Sequence, residues 1–461
     1  MLIRINIKNF LSFSERYNGF SQEFSTLAGK VRNKSEHVYF NDDVKILKFS
    51  AIYGANASGK SNLIKTINFI RSTIIKKLPQ GFSEQYCKII PENKNKDSYF
   101  ETEFLLNGFC YSYGFEVFLN QGKFVSEWLV KHNKNNIDEV IFERDIKNGK
   151  YTISNKIFSK ELKRKLDDYA SDIRNDDSVL FLTIMNQNKK SLYEDYDDAL
   201  LIKDVFNWFK YKLNINYPNM PISDYSYMTN SKNIDKICNI ISTFGTGIQN
   251  YKIIEIPINK AFEDLPESLS KKINADLEAM RTRKSNNSST ETKQCIIVRG
   301  DTYFCIFELN NDTPICKTIQ FSHGNNIFFS LSEESDGTVR LLDLLEILIA
   351  DNEDNSTYII DELDRCLHPI LTYKFIDTFL KLAHKRKLQL IVTTHESRLL
   401  DFDLLRRDEI WFVNKRSSGE SDIYSLDEYN ERFDKKIDKA YLEGRYGGVP
   451  IFNTVFPFEG E

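Results

Sequence analysis

The run Gly54-Ala55-Asn56-Ala57-Ser58-Gly59-Lys60-Ser61 brings two glycines, a lysine and two hydroxyls together in eight positions. Residues of these types at this spacing can cradle phosphate. Glycines let backbone N–H groups turn toward phosphate oxygens, and the N-terminus of a following helix adds partial positive charge. Lys60 is expected to reach β- and γ-phosphates, and the Ser61 hydroxyl to ligate Mg²⁺. Three further motifs follow in chain order. Ser335-Asp336-Gly337-Thr338 sits just before a helix-like stretch. A hydroxyl plus helix-end N–H groups can bind a γ-phosphate there, but Ser and Asp also make ordinary N-caps, and spacing does not separate the two readings. Tyr358-Ile359-Ile360-Asp361-Glu362 reads as a buried strand ending in two carboxylates, where ligand crevices form in α/β sheets. Asp361 is expected to hold Mg²⁺ and Glu362 to polarise, or take a proton from, an attacking water. Thr393-Thr394-His395 closes the set, its imidazole placed to bond a γ-phosphate. Cradle, metal ligand, base and sensor are the parts that nucleotide hydrolysis needs. The additional Ser-x-Gly element points to a site completed by a second subunit.

The elements that must hold these residues are legible to differing degrees. Residues 46–53 are strand-like and end where the glycines begin, and Lys60 to Lys77 reads as a helix with Leu63, Ile64, Ile67, Phe69, Ile70 and Ile74 on its apolar side. Strand, glycine-rich turn and helix are the context a phosphate loop requires. Residues 98–132 alternate like an antiparallel meander, with Asn107-Gly108 and Gln121-Gly122 as turns. Between about 150 and 317 the pattern weakens. Helices are expected over 161–172, 198–213 and 262–283, an exposed tip over 284–290, and a hairpin from Cys295–Arg299 and Tyr303–Leu309 across Gly300-Asp301. After about residue 318 the pattern returns to alternating helices and strands, with a helix after Asp336, a strand over 357–360, a Pro-started helix over 369–386 and strands over 388–394 and 409–413. No sustained heptads or fixed-period repeats are present.

These readings give an α/β fold class and three segments. An N-terminal ATPase lobe with an antiparallel β-subdomain covers 1–140, an inserted, mainly helical domain 141–317, and a C-terminal ATPase lobe 318–461.

Composition narrows the function classes. With 461 residues, 41% hydrophobic and 28% charged, the chain has the make-up of a soluble globular protein of two or three domains. Its net charge of −4 excludes a polycation, so any nucleic-acid contact must come from a local patch. Lys76-Lys77 and His384-Lys385-Arg386-Lys387 are the notable basic clusters. No apolar run is long enough to span a membrane, and the start lacks the pattern of a secretion signal. Seven scattered cysteines without a Cys-x-x-Cys pair fit a reduced cytoplasm and no zinc site.

The chain resembles ABC-type ATPase heads of the SMC, RecF and OLD branch. It is more closely similar to stand-alone AAA-type ATP-binding proteins of bacterial phage-defence and abortive-infection operons. The resemblance rests on Asn9-Phe10-Leu11-Ser12-Phe13, Gly54 to Asn62, Glu334 to Leu341, the run Asp361-Glu362-Leu363-Asp364-Arg365-Cys366-Leu367-His368-Pro369, Thr393-Thr394-His395, and the tail Tyr441-Leu442-Glu443-Gly444-Arg445-Tyr446-Gly447-Gly448-Val449-Pro450. It implies a P-loop ABC-ATPase head that binds ATP and Mg²⁺, with Gly54, Asn56, Ala57, Ser58, Gly59, Lys60, Ser61 and Asn62 around the triphosphate. It also implies head-to-head dimers with two ATPs sandwiched between them, Ser335 and Gly337 touching the γ-phosphate held by Lys60 of the other subunit, and Arg340 adding charge. Larger rings are compatible with it. Asp336 replaces the usual second glycine of the signature, and His368 replaces the aspartate that ends the dimer-contacting loop in transporters. The glutamine that completes a Mg²⁺ site has only Gln85 and Asn93 as candidates, so slow or dimer-gated hydrolysis is expected.

By analogy with that family, the expected function is a regulatory ATPase that controls a separately encoded effector, a nuclease, as in Septu- or PARIS-like defence. OLD proteins carry a nuclease domain after the ATPase. Here about 65 residues follow His395, fewer than a domain usually needs. The alternatives are a RecF-like repair ATPase that binds DNA directly, and a scaffold that uses ATP only to assemble.

Overall fold

The computed structural model describes all residues except 17, 42–43, 134–137, 223, 230–233, 264, 287–294, 301–302, 311–312, 350–354, 430–436 and 449–461. The chain divides into two compact units. Met1–Asn216, Asn352–Leu363 and Leu380–Glu461 form one, and Tyr217–Asp351 with Asp364–Phe379 the other. Positions 287–290 of the expected tip, Asp301 of the expected hairpin turn, and Val449 and Pro450 of the tail lie outside the described residues.

The first unit opens with β1 (Leu2–Lys8), β2 (Gln22–Ser25), the hairpin β3 (Val38–Phe40) and β4 (Lys45–Leu47), and β5 (Phe49–Tyr53), which leads to helix α1 (Lys60–Ile75). The meander β6 (Ser98–Leu106), β7 (Phe109–Phe118), β8 (Lys123–His132), β9 (Glu139–Asp145) and β10 (Lys150–Ile153) follows. It joins β1 and β2 in a seven-stranded sheet of order β10-β9-β8-β7-β6-β1-β2, antiparallel throughout. Phe10 packs against Phe69 of α1 at 4.7 Å and Phe100 of β6 at 5.1 Å, so the N-terminal motif supplies core between the loop helix and the meander. Helices α2 (Lys160–Asp172), α3 (Phe181–Met185), α4 (Lys190–Asp195) and α5 (Leu200–Asn207) lead to the short β11 (Leu213–Asn216).

In the second unit α6 (Ile234–Ser242), β12 (Asn250–Ile256), α7 (Ile258–Glu263), α8 (Glu267–Asn286), β13 (Cys295–Arg299), β14 (Phe304–Asn310), β15 (Thr313–Ser322), β16 (Phe328–Ser330) and α9 (Asp336–Ile349) succeed one another. Strands β12-β15-β14-β13, with β16 beside β15, form an antiparallel sheet. Ile273 and Leu277 of α8 pack with Val298, Cys305, Phe307 and Cys316 of that sheet.

The chain then contributes β17 (Thr357–Ile360), α10 (Pro369–Ala383), β18 (Gln389–Thr393), β19 (Ile410–Lys415), β20 (Ser421–Ser425) and α11 (Ile437–Leu442). A six-stranded sheet of order β11-β17-β18-β5-β19-β20 results, parallel except for β20. All residues of β5, β17 and β18 are buried, as expected of strands covered on both faces. Among the described residues no helix is long and apolar enough to cross a membrane.

The α/β class, the glycine-rich loop between β5 and α1, and the antiparallel subdomain match the expectation. The insertion does not have the expected form. The compact units part at Asn216 rather than near 141, and residues 250–322 carry a sheet where helix was expected to dominate. The helix expected over 198–213 is present, as α5 continued without a break by a π-helical stretch over Trp208–Lys212. Trp208 and Phe209 of that stretch are buried, with Trp208 stacked on Phe104 at 4.4 Å, and residues 213–216 then pair with β17. The helix expected over 262–283 is two helices, α7 and α8. Pro266 separates them, because it lacks an N–H and disfavours helical backbone in the residue before it.

Candidate nucleotide site

The C-terminal ends of β5, β17 and β18 lie along one edge of the parallel sheet, since Ile52 faces Thr393 and Ile360 faces Val392 in register. The loop from Gly54, the Asp361-Glu362 pair and His395 leave the sheet there. The topology of the first unit therefore gathers four of the sequence candidates at one edge.

Helix α1 begins without a side-chain cap at Gly59 and has no acidic residue in its first turn. Its first residue is Lys60, 6% exposed, whose Nζ donates to the carbonyls of Gly54 (2.7 Å) and Ala55 (3.1 Å). A cation at a helix N-terminus opposes the helix dipole, and the first-turn N–H groups lack intrahelical acceptors. An anion bound there relieves both conditions. Ser58 is buried, and its Oγ has no hydrogen-bond partner. Asn56 and Ala57 are exposed at the crest of the loop, with Ala57 in the left-handed region at φ 61°, and Ser61 and Asn62 are half-buried.

Two glycines set the shape of the loop. A Cβ on Gly54 would lie 2.4 Å from the Val413 carbonyl and 2.5 Å from Ser58 Oγ. Gly59 has φ 115°, and a Cβ there would meet Ser421 Oγ at 2.4 Å and Ser12 Oγ at 2.9 Å. Behind the loop runs a chain of hydroxyls. Ser421 Oγ donates to the Ser58 carbonyl (2.5 Å) and is hydrogen-bonded to Ser12 Oγ (2.8 Å), and Asn62 Nδ2 donates to Ser12 Oγ (2.8 Å). Ser12 and Ser421 are supports that no spacing rule in the sequence singles out.

Asp361 is 3% exposed. Its backbone N–H donates to Asn216 of β11 at 3.0 Å, and its Oδ1 accepts the Thr393 hydroxyl at 2.6 Å. The same Thr393 oxygen accepts the Glu362 N–H at 2.8 Å. Glu362 has φ 52° and is half-buried, so the acidic pair turns sharply off the strand while one threonine holds both residues. His395 is exposed just beyond β18. Among the described residues no group of three or more His, Cys, Asp or Glu could hold a metal by itself. One carboxylate and one hydroxyl nevertheless suit Mg²⁺, which usually takes few protein ligands alongside substrate phosphates. The buried orphan hydroxyl of Ser58, the uncapped helix and the glycine-shaped cradle fit a triphosphate.

The remaining candidates belong to the second unit. Ser335 is exposed, and its Oγ accepts the Thr338 N–H at 3.2 Å, which is an N-cap bond for α9. Gly337 allows close packing, since a Cβ there would lie 2.9 Å from the Cys366 carbonyl. His368 precedes α10, and its Nδ1 accepts the Ile370 N–H at 3.3 Å. Arg340, the residue that the resemblance gives as adding charge at the γ-phosphate, lies in α9. It is 7% exposed beside Asp343, and burial lowers its pKa. Asp343 pairs at 2.6 Å with Arg299 of β13, whose guanidinium also donates to the Tyr225 hydroxyl at 2.8 Å. Of the two glutamine-loop candidates in the first unit, Asn93 is buried with its Nδ2 on the Cys87 carbonyl (3.3 Å), and Gln85 accepts the Leu11 N–H through its backbone (2.7 Å).

No curated protein matches the sequence. Similar solved structures include an SmcHead bound to the C-winged helix domain of ScpA (15% identity, 92% of this chain and 97% of the other, TM-score 0.41). An SMC head domain from Thermotoga maritima (13%, 92% and 98%, TM-score 0.38) is another. A third is an Smc head domain with an extended coiled coil, bound to the C-terminal domain of ScpA derived from Pyrococcus furiosus (14%, 96% and 98%, TM-score 0.39). The family described as "AAA domain, putative AbiEii toxin, Type IV TA system" matches residues 49–401, and the chain belongs to that family.

Proposed function

We propose that this protein is an ATP-binding and ATP-hydrolysing regulatory ATPase of an anti-phage defence system, acting on a separately encoded effector of nuclease type. The observation that carries the nucleotide reading is the lysine-led, uncapped start of α1 at the sheet edge where Thr393 holds Asp361. Gly54, Asn56, Ala57, Ser58, Gly59, Lys60, Ser61 and Asn62 would hold the triphosphate, and Ser61 with Asp361 would hold Mg²⁺. That ion, when bound, neutralises phosphoryl charge as a Lewis acid. Glu362 orients water and takes its proton, and His395 donates a hydrogen bond to the terminal phosphate. Ser335 and Gly337 are assigned to the triphosphate of a second copy, so that ATP binding assembles a dimer. The family description, which names a putative toxin of a toxin–antitoxin system, supports the defence setting.

Fluorescent ATP binding, a phosphate-release assay and light scattering test this reading. Lys60→Ala is expected to weaken binding by about 10- to 100-fold, from loss of a charged hydrogen-bond donor. Glu362→Gln is expected to bind ATP, to double its mass with it, and to lose turnover by about 100-fold or more. Ser335→Arg should bind ATP and stay monomeric. Unchanged ATP binding by Lys60→Ala overturns the site. A wild-type protein that never changes mass with a non-hydrolysable analogue overturns the sandwich.

A further inference from the structure

The tail motif Tyr441–Gly448 has no part in the chemistry above, yet it touches the phosphate loop. Helix α11 ends at Leu442, and the next turn closes with the Gly444 N–H on Tyr441 O (2.8 Å) and the Arg445 N–H on Ala440 O (3.1 Å). Gly447 and Gly448 follow at φ 66° and 69°, two left-handed positions in succession. A Cβ on Gly448 would lie 3.1 Å from the Cα of Gly54, and one on Gly447 would lie 2.8 Å from the Tyr424 hydroxyl. The glycines therefore let the tail backbone settle directly against the first residue of the loop.

Side chains fix the tail in that place. The Tyr441 hydroxyl donates to the Gly448 carbonyl at 3.2 Å and faces the backbone N–H of Gly54. The Gly448 N–H donates to Asn414 Oδ1 (3.3 Å), and the Tyr424 hydroxyl donates to the Tyr446 carbonyl (2.5 Å). Phe412 of β19 stacks on both Tyr441 and Tyr446 at 5.8 Å, and Tyr53, the last residue before the loop, meets Tyr441 edge-on at 5.6 Å. Gly54 is thus enclosed by the Val413 carbonyl, Ser58 and the tail. A loop that grips phosphate through its backbone gains affinity when its conformation is set beforehand.

We propose that residues 441–448 form a strap that pre-sets the phosphate-binding loop, with Tyr441 and Gly448 as positioning residues for the nucleoside triphosphate. The inference rests on the ATP reading above. Coupling between two sites is reciprocal, so a nucleotide that seats the loop also holds the strap.

The test compares wild type with Tyr441→Phe, which keeps the aromatic packing, and Gly448→Ala. Three quantities are measured: the Kd for fluorescent ATP, the split between KM and kcat, and backbone hydrogen exchange with and without a non-hydrolysable ATP analogue. Tyr441→Phe is expected to raise Kd and KM by roughly 5- to 10-fold, the worth of one hydrogen bond, with kcat nearly unchanged. In wild type the analogue should slow exchange across 441–448, and in Tyr441→Phe the amides of 54–61 should exchange faster without nucleotide. A purely structural strap would lower the melting temperature but leave the nucleotide-dependent protection of 441–448 absent. Wild-type Kd in a folded Tyr441→Phe, or no protection of 441–448 by the analogue, overturns the strap. If wild type itself fails to bind fluorescent ATP, the ATP reading falls. The exchange of residues 54–61 in Tyr441→Phe still decides whether the tail sets the loop.

Discussion

Thr393 places one oxygen between two residues to which the proposed chemistry gives different tasks. Its hydroxyl donates to Asp361 Oδ1, which leaves the other carboxylate oxygen available to a metal, and accepts the Glu362 N–H, which stabilises a backbone with φ 52°. A non-glycine residue in that region costs about 1–3 kcal/mol unless its surroundings hold it. Thr393→Val keeps the shape and removes both bonds. The expected result is a kcat lower by roughly 10-fold with little change in ATP affinity, because the cradle stands on other residues. Single-turnover phosphate release and equilibrium binding on the same preparation check it, and wild-type kcat would show that Glu362 needs no tether. Gly59→Ala is expected to act on the opposite quantity. Its Cβ would strike Ser421 and Ser12 at a backbone angle of 115° that alanine resists, so binding of fluorescent ATP should be lost while the melting temperature falls only slightly. Ser421 was not legible as a site residue, and Thr393 and Ser12 stood inside motifs without a role of their own. Ordinary hydroxyl residues acquire a role only when strands bring them to one edge, whereas Gly54–Ser61 and Asp361-Glu362 announce themselves by residue type and spacing.

Among the elements, the meander is tied to the helices after it by a buried ion pair. Arg144 of β9 bonds Glu127 of β8 at 3.1 Å, both within 1% of full burial, and reaches the carbonyls of Ile173 (2.6 Å) and Val179 (3.1 Å). Glu127 in turn accepts the first N–H groups of α3, from Phe181 (2.6 Å) and Leu182 (3.0 Å). Arg144→Met leaves a buried carboxylate without its cation and is expected to cost about 3–5 kcal/mol, read from urea unfolding. Asp343 of α9 offers a pH-dependent counterpart. Burial pushes its pKa up from the ordinary 3.8 to about 6, even though Arg299 and Arg340 pull it down. The folded state therefore holds a proton that the unfolded chain has released. Its contribution is present below about pH 4 and is lost as pH rises to about 6. The difference in melting temperature between wild type and Asp343→Asn should accordingly shift against wild type across that interval. A pH-independent difference would place Asp343 in the ordinary range. The strands β5, β17 and β18 were legible because each is a short, mostly apolar run that leads into a motif. Strand β11 was not, because Leu213–Asn216 has only four residues and becomes a strand through the free edge of β17. Strands β12 and β15 were hidden by Lys252, Glu255 and Lys317, which stand among apolar residues on a sheet with a solvated face.

At the scale of the molecule, the parallel sheet is assembled from distant parts of the chain. Strands β5 and β11 precede residue 217, whereas β17, β18, β19 and β20 follow residue 351. A fragment ending at Asn216 retains the loop and α1 but leaves β5 without β18 and β19, so it should expose two apolar strand edges and aggregate. Replacing 217–351, the larger part of the second unit, with a linker tests the converse. Strands β11 and β17 are parallel neighbours, and parallel neighbours need a crossover of about a dozen residues, so a Gly/Ser linker of roughly 12 residues can return the chain to β17. The excised protein keeps Gly54–Ser61, Asp361, Glu362, Thr393 and His395 and loses Ser335, Gly337 and Arg340. It is expected to unfold in one cooperative step, to bind fluorescent ATP with wild-type affinity, and neither to double its mass with ATP nor to turn ATP over at the wild-type rate. Loss of binding in a folded excised protein would mean that the cradle draws on the second unit for its shape. Retained turnover without Ser335 would mean that hydrolysis is complete within one copy.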